Sequence, residues 1–219
     1  MVEMDRVEPK DRSCTELTID FVGDYCEFGP ERVYLLTAIA RTKDNPLSSS
    51  EEIVFQEIVG NKDNVQKKYS KLRAVAAGYA ENGETYNFRL YLSVNARNTT
   101  KAYFNFRSRM NERIRERLNG ANSSGRFKGV DRHWLSELSK PSSKDETRFL
   151  IDVDEDDQLS VDEVRDILVD ETTILAECRT PNGWHIVTSP FNYNDLPVKL
   201  EIKTDALLFL EYVHGGVKP

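Results

Sequence analysis

Residues 148–154 read Arg-Phe-Leu-Ile-Asp-Val-Asp, an apolar run that ends in two carboxylates one residue apart. A short apolar run of this length reads as a strand. Side chains alternate faces along a strand, so Asp152 and Asp154 share one face, about 6–7 Å apart. Two like charges on one face repel. A divalent cation between them relieves the repulsion, and hard oxygen ligands suit Mg2+ or Mn2+. Carboxylate pairs of this kind serve metal-dependent phosphoryl transfer, where ions stabilise the attacking and leaving oxygens. The plainer alternative is a pair of solvated acids forming a turn at a strand end. A further reading takes Asp152 to Glu163 as an EF-hand-like calcium loop, with acids at positions 1, 3 and 5, Leu159 at 8, Ser160 at 9 and Glu163 at 12. Asp157 stands at position 6, where that loop takes glycine. The run before it reads as a strand, not an entering helix, and acids at a helix start are favoured by the helix dipole in any case.

Downstream, Val161 to Val169 has helical spacing, and Thr173 to Arg179 and Trp184 to Thr188 read as strands. Thr180-Pro181-Asn182-Gly183 between them is a hairpin turn. Its free N–H groups and the Thr180 hydroxyl would form a small nest for phosphate oxygens. His185 shares a strand face with Val187, with Trp184 on the other, so its imidazole is placed to donate to a triphosphate oxygen. An ordinary tight turn with a half-exposed histidine is the alternative. Val198 to Lys203 is a further strand that leads to Asp205, and Ala206 to Val213 is an apolar element of undecided type.

Upstream, the first dozen residues read as a mobile arm. Val33 to Ala40 is a strand covered on both faces, and Arg41 to Ser50 is a loop. Ser50 followed by Glu51, Glu52 and an apolar cluster suggests a short capped helix ending near Gly60. A helix from about Asp63 to Ala77 and a strand from Tyr86 to Val94 follow. The longest helix runs from Thr99 to Leu118, with an apolar stripe of Tyr103, Phe106, Met110, Ile114 and Leu118. Its other side carries Arg107, Arg109, Arg113 and Arg117, and a basic knot of Arg126, Lys128 and Arg132 comes after it. That surface fits either a nucleic-acid backbone or a solvated face with salt-bridged glutamates. Residues 121–146 read as an irregular basic connector between a 1–120 lobe and a 147–219 lobe. Strands alternating with helices, plus one hairpin, give an α/β (α+β) fold.

The chain has 219 residues, a net charge of −7 and 39% hydrophobic residues, enough for one two-lobed domain. No window approaches the roughly 18 apolar residues of a membrane span. The N-terminus lacks the apolar core of a signal peptide, so an intracellular, cytoplasmic protein with no membrane partner is expected. The three cysteines, Cys14, Cys26 and Cys178, are far apart and form neither a zinc cluster nor a disulfide framework. P-loop, GxGxxG, GxSxG and HExxH signatures are absent.

The order Ile151-Asp152-Val153-Asp154, then Gly183-Trp184-His185, then Asp205 after Leu200-Glu201-Ile202-Lys203-Thr204 resembles the catalytic core of the archaeo-eukaryotic primase (primase-polymerase) superfamily. That family carries an hhhDhD strand, a small-x-His motif and an hD strand. The resemblance spans about Arg148 to Tyr212. It implies an N-terminal α/β lobe packed on an RRM-like catalytic lobe, and a DNA or RNA primase-polymerase that joins nucleotides to a 3′-hydroxyl. It further implies Asp152, Asp154 and Asp205 as catalytic ligands of Mg2+ or Mn2+, with Asp195 or Glu201 as alternatives for the third. His185 would contact nucleotide phosphate, and nucleic acid and nucleoside triphosphates would be partners, alongside replication or repair proteins. The small residue is often serine; here it is Gly183, so Thr180 or Asn182 would assist with phosphate. A protein of the same fold that binds nucleic acid without catalysis is the other reading.

Overall fold

The computed structural model describes residues 2–3, 14–48, 51–81, 83–120 and 127–216. In chain order its elements are β1 (Val2–Glu3), α1 (Cys14–Tyr25), β2 (Arg32–Ala40), β3 (Ile53–Val59), α2 (Val65–Gly78), β4 (Ala80–Glu81), β5 (Glu84–Thr85), β6 (Phe88–Ser93), β7 (Arg97–Asn98), α3 (Thr99–Leu118), α4 (Val130–Leu138), β8 (Phe149–Asp154), α5 (Val161–Glu171), β9 (Ile174–Thr180), β10 (Gly183–Thr188), β11 (Glu201–Lys203) and β12 (Leu207–Val213). The fold is α+β. One large sheet runs β1-β9-β10-β8-β11 and a second β12-β6-β2-β3, with β7 paired to the start of β2, while β4 and β5 form a separate two-stranded ladder.

Alternation decides how the first sheet packs. Leu150, Ala176, Cys178 and Val187 point inward and join Leu36, Leu90, Leu92 and Leu208 of the second sheet in the main core. Phe149, Ile151, Val153 and Ile186 point the other way and bury Val164 and Leu168 of α5. Each fully buried aliphatic side chain contributes about 1.5–3 kcal/mol, so both faces of β8 and β10 are strongly held. The register of every side chain at the inner face is thereby fixed.

Three expectations are corrected. Residues 53–59 form a strand, not a capped helix: the segment is rich in Ile, Val and Phe, and it pairs with β2 from Tyr34↔Val59 to Ala40↔Ile53. That partner outweighs the helix-start signal of the preceding residues. The stretch expected to be an irregular connector contains α4, whose Leu138 and Glu137 are buried and whose Trp134 meets Phe106 of α3 edge to face at 5.9 Å. The expected apolar stripe of α3 is not a buried one: Ala102 is the fully buried residue of the helix, while Tyr103, Ile114 and Leu118 face solvent. The expected mobile arm lies outside the described residues, apart from Val2–Glu3, which pair with β9 in parallel. The 1–120 and 147–219 segments also exchange strands. β12 completes the sheet of β6 and β2, while β1 joins the sheet of β8–β11.

Candidate functional site

The cross-strand register lays out the inner face of the first sheet in rows. Ala176, Val187 and Leu150 form an apolar row, opposite Lys203. The next row is Cys178, His185, Asp152 and Glu201, and the last is Thr180, Gly183 and Asp154. The face therefore turns from core to chemistry within two residues. Beyond the apolar row it opens into a cleft of about 300 Å³ lined by Asp152, Asp154, Thr180, Asn182, His185, Lys203 and Asp205. The facing wall comes from the second sheet and the turn after β2, and includes Arg41, Lys43, Arg89, Tyr91 and Phe209. Three separated stretches singled out in the sequence thus share one hollow.

Asp152 is the hub. Its Oδ1 lies 3.4 Å from His185 Nε2, and its Oδ2 accepts from Lys203 Nζ at 2.6 Å. His185, then Lys203, hold the carboxyl far below the usual carboxylate range, against the opposing pull of partial burial. Burial pulls the Lys203 ammonium down, but Asp152 and Glu201 outweigh it and hold it raised. The buried imidazole has a fixed tautomer: the Phe209 N–H donates to Nδ1 at 3.2 Å, so the Nε2 proton faces Asp152. Asp154 is exposed, and its carboxylate has no ion pair among the described residues.

Gly183 is dictated by packing. A Cβ there would lie 2.0 Å from the Val153 carbonyl oxygen. No serine fits at this place in the hairpin. Thr180 Oγ1 accepts from the Asn182 N–H at 3.3 Å, so part of the expected phosphate nest is spent closing the turn.

Asp205 lines the cleft, but both its oxygens are engaged by Arg97, at 2.7 and 3.2 Å. The Arg97 side chain is almost fully buried. Thr204 is clamped too, its carbonyl accepting from Asn95 and Lys144. Of the alternatives, Glu201 pairs with Lys203, and Asp195 accepts from Asn192 in a turn outside the cleft. Among the described residues no three His, Cys, Asp or Glu side chains gather as a metal-holding group. Mg2+ is commonly held by one or two carboxylates plus substrate phosphates. Asp152 and Asp154 fit that donor set, while Asp205, in the same cleft, has both oxygens on Arg97.

The calcium-loop spacing does not form a helix–loop–helix. Residues 149–154 are a strand, and the Glu163 carboxylate bends back to the Ser160 N–H and hydroxyl in a capping box. The α3 arginines do not line the cleft. Arg107 and Arg117 are exposed, Arg109 pairs with Glu137 of α4, and Arg113 is partly buried. Lys128 and Arg132 are exposed, and Arg126 lies outside the described residues.

Sequence reasoning missed the facing wall. Arg89 is bidentate to Asp44, both contacts at 2.6 Å. Arg41 sits beside the Tyr91 ring, and Lys43 is exposed; neither has a carboxylate partner among the described residues. The available signal was Arg41-Thr42-Lys43 directly after an apolar strand. No protein-family model, curated protein or solved structure matches the chain.

Proposed function

We propose that the chain is a divalent-metal-dependent nucleotidyltransferase of primase-polymerase type, joining nucleotides to a nucleic-acid 3′-hydroxyl, with the β8–β11 sheet and α5 as its RRM-like catalytic lobe. The observation that supports this is the convergence of Asp152, Asp154, Thr180, Asn182 and His185 in one cleft opposite two cations free of carboxylates. Mg2+ or Mn2+ bound by Asp152 and Asp154 would supply charge neutralisation at the phosphates and the leaving group. The chain's own residues do the positioning. Lys203 and His185 keep Asp152 ionised. The Nε2 proton of His185, turned toward Asp152 by the Phe209 N–H at Nδ1, would be shared with a phosphate oxygen that enters the cleft beside that carboxylate. Arg41 and Lys43 neutralise the remaining phosphate charge from the other wall. Arg97 fixes Asp205 as part of the frame.

The test is incubation of the purified chain with Mg2+ or Mn2+, labelled nucleoside triphosphates, and primed or unprimed template. Product formation that disappears in Asp152→Ala plus Asp154→Ala is expected; product that survives the double substitution overturns the reading. One observation favours a second reading, a nucleic-acid-binding protein of this fold without catalysis: in the ligand-free arrangement Asp152 is already satisfied by Lys203 and His185. Oligonucleotide binding with no incorporation under any metal selects it. No described helix is long and apolar enough to cross a membrane.

A further inference from the structure

Helix α3 is fastened along one side. Ala102 is buried there, Phe106 meets Trp134, and Arg109 pairs with Glu137 at 2.6 Å. At 100° per residue these contacts centre on one line of the helix. The opposite arc, roughly 120° wide, carries Tyr103, Phe104, Arg107, Ile114, Arg115 and Leu118. The exposures are 52% for Tyr103, 59% for Phe104, 45% for Ile114 and 80% for Leu118. The two aromatic rings touch edge to face, 5.9 Å apart at 67°. Arg107 and Arg115 are exposed and make no ion pair among the described residues. Glu112 and Glu116, the acids of the helix, fall outside the arc.

We infer that this arc is a binding track for single-stranded nucleic acid, with bases stacked on Tyr103 and Phe104 and phosphates held by Arg107 and Arg115. Aromatic faces interleaved with arginine are the arrangement that binds single strands without sequence preference. Charge complementarity selects an anionic polymer, since a chain of net charge −7 presents here a surface with two cations and no carboxylate. The helix that carries the track starts next to a residue that braces the cleft wall. Asn98 caps α3, and its neighbour Arg97 holds Asp205 in the cleft wall. From Tyr103 to Leu118 the arc is about 22 Å long. This inference deepens the proposed function by stating where the polymer lies, but its test needs no catalysis.

The experiment is fluorescence anisotropy of labelled oligothymidylate and of a labelled duplex, without metal or nucleotide. Binding to the single strand is expected, with affinity weakened at least about 10-fold in Tyr103→Ala plus Phe104→Ala. Arg107→Ala should weaken it and lower the slope of log affinity against log salt by about 0.7. Val169→Ala, at an exposed position of α5 outside both the cleft and the arc, should bind as the parent does. Unchanged binding in the double aromatic variant overturns the inference, as does capture of the parent by phosphatidylserine vesicles but not by the oligonucleotide. A self-association that the aromatic substitutions abolish, without any oligonucleotide binding, overturns it too. Binding without nucleotide incorporation leaves the track standing and removes the polymerase reading; incorporation insensitive to the aromatic pair does the reverse. Both aromatic side chains are largely exposed, and an unchanged circular dichroism spectrum verifies that the variant is folded.

Discussion

Substituting Gly183 by alanine tests whether the hairpin backbone positions the cleft. The added Cβ would stand 2.0 Å from the Val153 carbonyl oxygen and 2.9 Å from the Asp154 Cα, both rigid backbone atoms. Restoring a contact of about 3.5 Å needs β8 and β10 to part by ~1.5 Å. Hydrogen bonds weaken sharply over such a distance, and the affected pairs are Gly183↔Asp154 and Trp184↔Val153. Loss of two ladder bonds costs about 0.5–1.5 kcal/mol each. Overpacking adds about 1–3 kcal/mol, for a total of roughly 2–6 kcal/mol. That is a large share of the ~5–15 kcal/mol that holds a typical domain. Urea denaturation followed by circular dichroism measures the loss, and Gly183→Ser should lose at least as much. The same displacement carries His185 away from Asp152, so any catalytic activity should fall with stability. A Gly183→Ala protein whose unfolding free energy lies within about 1 kcal/mol of the parent would show that the strands yield cheaply, and the packing argument would fail.

Arg97→Ala should destabilise the fold by about 3–5 kcal/mol, because it strands a mostly buried Asp205 carboxylate; Asp205→Ala should cost a similar amount in urea melts while leaving Mn2+ affinity unchanged. Asp152 should shape the acid limb of stability. Its folded carboxyl sits below the unfolded value of about 3.9, so its contribution is complete above about pH 4 and is lost as pH falls through the folded value. Asp152→Asn should therefore flatten the stability profile in that acid window, and a parent-like slope would refute it. Lys203→Met should raise the Asp152 carboxyl, as read by side-chain 13C NMR titration. Burial, with a smaller push from Glu177, lifts the Cys178 thiol to about 12, so peptide mapping after iodoacetamide treatment should find Cys178 modified only once the protein unfolds.

The cleft's first wall was legible in the sequence because it depends on short-range alternation. Leu150, Asp152 and Asp154 share a face by strand geometry alone, as do His185 and Val187, and the Pro-Asn turn sets the register between β9 and β10. Helix α3 also runs between the expected ends, Thr99 and Leu118. What escaped depends on distant partners. The strand pattern places Asp205 near the other acids but carries no sign that Arg97, more than a hundred residues away, holds both its oxygens. Residues 53–59 read as a helix until β2 supplies their pairing edge. Arg41 and Lys43 become part of a site once two sheets stack, and strand patterns carry no record of stacking. The helix α1 had a fair signal in Phe21, Val22 and Tyr25, now buried on one side, but it was masked by the polar run before it.

The swap of terminal strands limits how the cleft can move. β12 belongs to one sheet by pairing and touches the other through the Phe209–His185 bond, while β1 reaches across the opposite way. Segments 1–120 and 147–219 are laced rather than hinged: separating them would tear the β12–β6 ladder, whereas parting the two sheets would break the shared core and the Phe209–His185 bond. A ligand bound at the acids must displace the Lys203 ammonium, which is hydrogen-bonded to Asp152. A chain severed within residues 121–126 should yield pieces that mix into a folded whole but do not fold singly.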